Sequence, residues 1–295
     1  MVACARMIVA SLSVALLAGC CPKATPRQAY YGPTEPIDVV IRSINDNNGR
    51  IPTVWAAGTF EARIIDGQKR SNFVNGTVTL VHEKPGGLRV VGTKDLVGTV
   101  FDIGSNDERY WLIAGGDVDT MWWGSYAAAT LEAARVIPIR PELVIEVLGI
   151  GHIDTNLRRE PFPVLRFNND ADAYMIVWHV GLADRLVAQK EVWFDRESKR
   201  PRLVLLFDEH GRIILRAYLD RFAPVEIDGV EAPACPVMAT RYDLFFPDSG
   251  SSLRMDFEQL KLSNDGAPNE RSFRFPKAQL DRVRRVVALD EPRGG

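Results

Sequence analysis

Thr53-Val54-Trp55-Ala56-Ala57-Gly58-Thr59-Phe60-Glu61-Ala62-Arg63-Ile64-Ile65 is the stretch on which the fold turns. Phe60, Ala62 and Ile64 alternate with Glu61 and Arg63, a period of two that gives a strand one apolar and one charged face. Immediately upstream the period is different. Ile37, Val40, Ile41 and Ile44 fall at i, i+3, i+4 and i+7, one face of a helix, and Gly49 follows as its stop. The change of period predicts an amphipathic helix that needs a sheet to cover, followed by the sheet's first strand.

Downstream the period stays near two. Residues 72–83, 88–94, 97–103 and 109–113 read as strands, separated by turn residues such as Asp66-Gly67, Pro85-Gly86-Gly87 and Ser105-Asn106-Asp107. Connections this short make neighbouring strands antiparallel. Val74, Val78 and Leu80, then Leu88 and Val90, then Val97, Phe101 and Ile103 continue the apolar face. Asn75, Thr77, Thr79, Arg89 and Asp102 occupy the opposite positions, so that side is expected to meet water. The middle of the chain reads as helical: Ser125 can cap an Ala-rich segment reaching Arg135, and Pro141 suits the first turn of a helix carrying Leu143, Val144, Val147 and Leu148. Strands then resume at 164–168, 173–180, 186–195, 202–207, 212–220, 236–246, 251–258 and 272–275. The expected fold is mainly β within the α+β class: a strongly curved antiparallel sheet, an open half-barrel with helices covering its concave face, spanning residues 34–295.

The N-terminus carries an address. Leu16-Leu17-Ala18-Gly19-Cys20 resembles the lipobox at which bacterial lipoproteins are cut and acylated, with Arg6 as the n-region and Met7 to Leu17 as the apolar core. The apolar run is too short to span a bilayer. Residues 1–19 are therefore expected to be a signal peptide, and Cys20 the lipidated first residue of the mature chain. Acyl chains such as palmitate hold a protein on a membrane through about 0.8 kcal/mol per buried methylene. Pro22, Pro26, Pro33 and Pro36 mark residues 20–33 and their flank as a semi-extended tether, with a reach of roughly 40 Å at about 3.1 Å per residue. Cys21 stands where an aspartate favours inner-membrane retention, so the resemblance implies the outer membrane and its periplasmic face.

The net charge is −2, and loss of the signal removes only Arg6, so nothing in the charge suggests nucleic acid. Of four cysteines, only Cys21 and Cys235 remain after processing and lipidation, which rules out a disulfide framework but allows one bridge.

The order of elements carries a second resemblance. An amphipathic helix precedes a long meander, Asp102-Ile103-Gly104-Ser105-Asn106-Asp107-Glu108-Arg109-Tyr110-Trp111-Leu112 comes before the central helices, and Ser272-Phe273-Arg274-Phe275-Pro276 closes the sheet. This looks like the lipoprotein-localisation (Lol) carrier and receptor superfamily, an unclosed β-barrel with helices as a lid. The resemblance implies a concave apolar cavity that takes acyl chains of a lipid or lipoprotein. The carrier of that superfamily has no lipid anchor and the receptor does, so the lipobox points to a receptor-like or sensor-like relative. The receptor's protruding apolar loop has no counterpart identified in the sequence.

On that reading Phe60, Leu80, Val90 and Phe101 form the cavity floor, with Met175, Val177 and Trp178 as wall candidates. Met121, Trp122 and Trp123 form the most unusual apolar cluster. Adjacent tryptophans cannot share one strand face, so they read either as core anchors or as cavity-mouth residues that pack on an acyl chain or meet headgroups.

Signs of catalysis are few. His82, His152, His179 and His210 are far apart, and neither a zinc motif nor a nucleophile elbow occurs, so neither metal nor cofactor is expected. Asn45-Asp46-Asn47-Asn48-Gly49 lacks the alternating ligands of a calcium loop and reads as a polar helix end. Asp117 and Asp119, like Asp170 and Asp172, fall in predicted turns, and Arg282, Arg284 and Arg285 read as a solvated helix face. The expected function is that of a lipid-anchored periplasmic protein binding acyl chains without chemistry. The alternative is a structural or sensory envelope lipoprotein with a filled barrel that acts through protein contacts, and an envelope hydrolase comes third.

Overall fold

A computed structural model describes residues 33–65, 69, 71–116, 118–126, 139, 141–262 and 270–290. The expected signal peptide, Cys20, Cys21, nearly all of the expected tether, the expected Asp66-Gly67 turn, Asp117 and the expected Ala-rich helix lie outside the described residues.

Helix α1 spans Ile37–Asn48 and buries Val40, Ile41 and Ile44, the stripe set by its period. Asp38 in its first turn pairs with Arg42 across an exposed 2.9 Å contact, a pair worth only a few tenths of a kcal/mol. Strands β1 (Thr53–Ile65), β2 (Ser71–Glu83), β3 (Gly87–Lys94), β4 (Gly98–Ser105), β5 (Arg109–Ala114) and β6 (Thr120–Ser125) follow as an antiparallel meander. Helix α2 spans Pro141–Val147, and Gly149 beyond it takes φ +73°, a left-handed conformation that suits glycine after a helix end. The second meander comprises β7 (Phe162–Asn168), β8 (Ala173–Leu182), β9 (Arg185–Asp195), β10 (Pro201–Phe207), β11 (Ile213–Pro224), β12 (Val237–Phe246) and β13 (Ser251–Lys261). Short β14 (Arg285–Ala288) ends the order.

Among the described residues fourteen strands form one sheet in the order β14-β6-β5-β4-β3-β2-β1-β13-β12-β11-β10-β9-β8-β7, with β14 and β7 as its edges. The sheet is therefore open, as the sequence reading expects. The two meanders meet where β1 pairs antiparallel with β13, and a bulge at Ala57/Gly58 interrupts that register. Inward residues of both meanders and the apolar faces of α1 and α2 form one core. Phe60 and Phe101 meet edge to face at 4.8 Å within it.

Four sequence expectations are corrected. Ser272 and Phe273 belong to a 3-10 turn, Glu270–Phe273, and not to a strand. Phe275 instead packs against the outer face of β5 and β6, 5.7 Å from Trp111 and 5.4 Å from Trp123 between ring centres. With Ile113 and Met121 these residues make a second, smaller core on the convex side. For that reason Asp102 does not meet water: it is buried, and its carboxylate receives Arg89 at 2.7 Å and 3.2 Å. Arg285 opens a strand, β14, which runs parallel to β6 from Arg285↔Thr120 to Ala288↔Trp123, and Arg284 reaches Asp119 at 3.1 Å. Val97 lies in the β3–β4 turn, mostly exposed, because the apolar face ends before it.

The C-terminal segment is tied to the sheet by side chains that donate to its backbone, Asn106 Nδ2 to the Phe273 carbonyl at 3.0 Å and Arg89 to that of Ser272 at 3.3 Å. Asp290 closes the clasp by accepting from the Ser125 amide at 2.8 Å. Trp111 needs room beneath this clasp, and its cross-strand partner Gly104 provides it, since a Cβ at residue 104 would stand 2.0 Å from the indole ring. Replacing Gly104 with alanine is expected to cost about 1–3 kcal/mol through overpacking. Gly151, whose Cβ would meet nothing within 4 Å, is the control. Urea unfolding should show a clear loss for Gly104→Ala and none for Gly151→Ala.

Candidate functional site

Helix α1 is fixed to its neighbours by the asparagines at its end. Asn45 brackets Ile153, donating to its carbonyl at 2.8 Å and accepting from its amide at 2.9 Å. Asn47 does the same to Val237 at 2.9 Å and 2.8 Å, and Asn48 donates to the carbonyls of Gly149 and Gly151. The side chains of Asn45 and Asn47 thus copy a strand's donor and acceptor pattern. Together with Tyr242, whose buried hydroxyl donates to the Leu148 carbonyl at 3.2 Å, these contacts hold the segment that follows α2 over the second meander.

Space remains under that segment. One chamber of about 390 Å³ lies between the end of α1, residues 149–153 and β8 to β10, with Ile44, Ile150, Trp178, Val192, Phe194 and Val204 as apolar walls. Its polar groups are Asn48, His82, Lys84, Glu146, His152 and Lys190. A second chamber of about 520 Å³ lies between α2 and β8 to β11, bounded by Leu143, Val180, Leu182, Val187, Leu206 and Ile214 with Asp208 and Glu209 at its polar side. Glu146 and Lys190 border both chambers. Lys190 Nζ bonds Glu146 at 3.0 Å and sits 4.8 Å from the centre of the Trp178 ring. Both volumes fall within the range of about 300–1,000 Å³ usual for small-molecule sites.

The sequence-derived site residues separate. Trp178 lines the smaller chamber. Phe60, Leu80, Val90, Phe101 and Trp122 are buried in the main core, packed among side chains. Met121 and Trp123 are on the convex face beneath Phe275, with Arg109 over the rings of Trp123 and Phe275 at 5.4 Å and 5.3 Å. Alternation along β6 turns them away from Trp122, so they cannot line the concave side. Along β8, Met175 and Val177 are buried opposite Trp178 for the same reason. Cys20 lies outside the described residues, as does Cys21; Cys235 is a free, buried thiol.

Sequence reasoning missed three features. The α1 asparagines, a polar helix end by sequence, dock the cavity's roof. His82 and His152 lie 70 positions apart by number, yet border one chamber. Leu96, at the tip of the β3–β4 hairpin, is fully exposed with φ +66° next to Val97, an apolar protrusion that only its place in the turn reveals. Among the described residues the histidine-to-carboxylate contact is His210 with the adjacent Glu209 at 3.5 Å, and both side chains are more than half or about half exposed.

No family model matches the chain and no curated protein matches it. Solved structures do. A domain assigned to outer membrane lipoprotein sorting from Vibrio parahaemolyticus is 13% identical, with 78% of this chain and 94% of that one covered, at a TM-score of 0.44. A DUF1329 family protein from Desulfovibrio piger is 10% identical over 83% of this chain and 100% of that one, at 0.48. A LolA superfamily protein from Nitrosomonas europaea is 14% identical over 83% and 100%, at 0.44. The open sheet is the layout expected from the sequence.

His82 titrates far from its ordinary range. Burial, the main cause, and the nearby Lys84 charge push its pKa down from 6.5 to about 4, against the opposing effect of its bond to the Gly87 carbonyl. That carbonyl, 2.7 Å from Nδ1, only accepts, so the neutral ring carries its proton on Nδ1. The unfolded chain protonates His82 as pH falls through 6.5, whereas the native state does so only near 4. The stability tied to neutral His82 is therefore present above pH 6.5 and lost toward pH 4, by on the order of 3 kcal/mol over the whole window. Urea unfolding between pH 7 and pH 4.5 should show wild type losing more stability than His82→Gln; parallel losses would contradict the assignment.

Proposed function

We propose that the chain is a lipid-anchored protein of the bacterial envelope that holds acyl chains of a lipid or lipoprotein by burial, without chemistry. The single observation that carries this reading is the space left between the second meander and the segment around α2, with apolar side chains forming much of its walls. Each methylene moved from water into such a space contributes about 0.8 kcal/mol. Apolar walls therefore suffice for tight binding, and no cofactor is needed. Cys20, as the lipidated residue, fixes the domain to a membrane, with the periplasmic face of the outer membrane as the proposed address. A tethered domain does not shuttle, so its ligand comes to it. Leu96 and Val97 supply the exposed apolar tip with which a receptor-like domain can touch a bilayer or a partner.

A second reading has one observation in its favour. Phe60, Leu80, Val90 and Phe101 pack against their neighbours in the core, as expected of a structural or sensory lipoprotein whose half-barrel is filled by its own side chains.

Native mass spectrometry of the protein taken from membranes separates the two. The acyl-binding reading predicts a co-purifying lipid that a competing acyl probe displaces. A protein without bound lipid that also fails to bind the probe leaves only the filled half-barrel. The anchor is tested apart from this: Cys20→Ser is expected to abolish acyl labelling and maturation, and unchanged labelling would remove the lipobox assignment.

A further inference from the structure

The two chambers differ in charge. The larger has Asp208 and Glu209 at its polar side, with the Asp208 carboxylate already receiving Arg212 at 2.9 Å. In the smaller, Lys190 is matched by Glu146, which leaves Lys84. Its ammonium is half-buried and donates to the Asn48 carbonyl at 2.6 Å. Among the described residues it forms no ion pair. An ammonium has three donors, so two remain for a ligand. Its setting also penalises the bare charge, since burial pulls the Lys84 pKa below that of a free lysine. An anion beside it would restore what burial takes away. His82 next to it is held neutral and so adds no competing cation.

We infer that the acyl ligand carries an anionic head, a carboxylate or a phosphate, which Lys84 receives in the smaller chamber while the chain runs past Trp178 toward the larger one. This rests on the acyl-binding reading and adds the class of ligand to it. The larger chamber is the poorer place for the head, because Asp208 and Glu209 line it and its lysine, Lys190, is matched by Glu146. The Glu146–Lys190 pair marks the passage between the two. It is half exposed on the glutamate side, and such pairs contribute at most about 1 kcal/mol, so a chain can displace it.

Isothermal titration of the purified chain with laurate and with 1-dodecanol tests the inference, because the two share a tail and differ in charge. Wild type should bind laurate at least about tenfold more tightly, which corresponds to about 1.4 kcal/mol. Lys84→Met should erase that preference, and Lys84→Arg should keep it. Inorganic phosphate alone should not displace laurate, since it lacks the tail; displacement would mark a free-anion site and overturn the head-group assignment. Equal affinities in wild type, or a preference that survives in Lys84→Met, would also overturn it while leaving acyl binding intact. Binding of neither compound would instead remove the acyl reading on which it rests. The wild-type comparison decides the matter even if the Lys84→Met protein does not fold.

Discussion

Pairing of β1 with β13 is the constraint on which the rest of the molecule depends. Trp55↔Lys261 through Arg63↔Ser252 join residues about two hundred positions apart, and without that ladder each meander would end in an open edge. The register also decides what is buried. Phe60 faces Met255 and Ala62 faces Leu253 across the ladder, and all four belong to the core. The alternate positions put Glu61 opposite Arg254 and Thr59 opposite Asp256 on the outer face, where Arg254 pairs with Asp243 at 2.5 Å and Arg241 with Asp256 at 2.7 Å. A slip of one residue would exchange these two sets, so burial of the core itself specifies the register.

The two halves of the sheet then solve the same problem differently. Strands β4 to β6 are covered on both faces, inside by side chains of the main core and outside by the clasp around Phe275. The segment after α2 roofs the second meander, held at fixed points by Asn45, Asn48 and Tyr242, while α2 itself lies against β4 and β5. A roof held by hydrogen bonds at a few points can leave space beneath it, where an apolar side chain pressed on the sheet would fill it. That arrangement sets the candidate site over β8 to β11, with both apolar and polar side chains in its lining.

Alternation made most strands legible from the sequence, because one of their faces is wet: β1 and β13 read clearly for this reason. It failed where both faces are dry. In β6, Met121 and Trp123 face one core and Trp122 the other, so the period of two disappears into a run of apolar residues. β14 escaped because four residues carry almost no period and its parallel partner is far away in sequence. The site was less legible than the fold. Phe60, Leu80, Val90 and Phe101 have the right character for a cavity floor, but whether an inward residue meets a ligand or another side chain depends on packing from distant segments. Lys84 and His82 gave no local signal, since their chamber exists only after α1 and the segment near Gly149 have docked against β8 to β10.

Trp178 offers the most direct test of the central claim, that the space under α2 and its following segment holds an acyl chain. A fatty acid brominated along its tail quenches only indoles it approaches, and the difference between wild type and Trp178→Phe isolates this one ring from the other five tryptophans. Quenching should be saturable in wild type and largely lost in Trp178→Phe. Equal quenching in both proteins, or none in either, would contradict that claim.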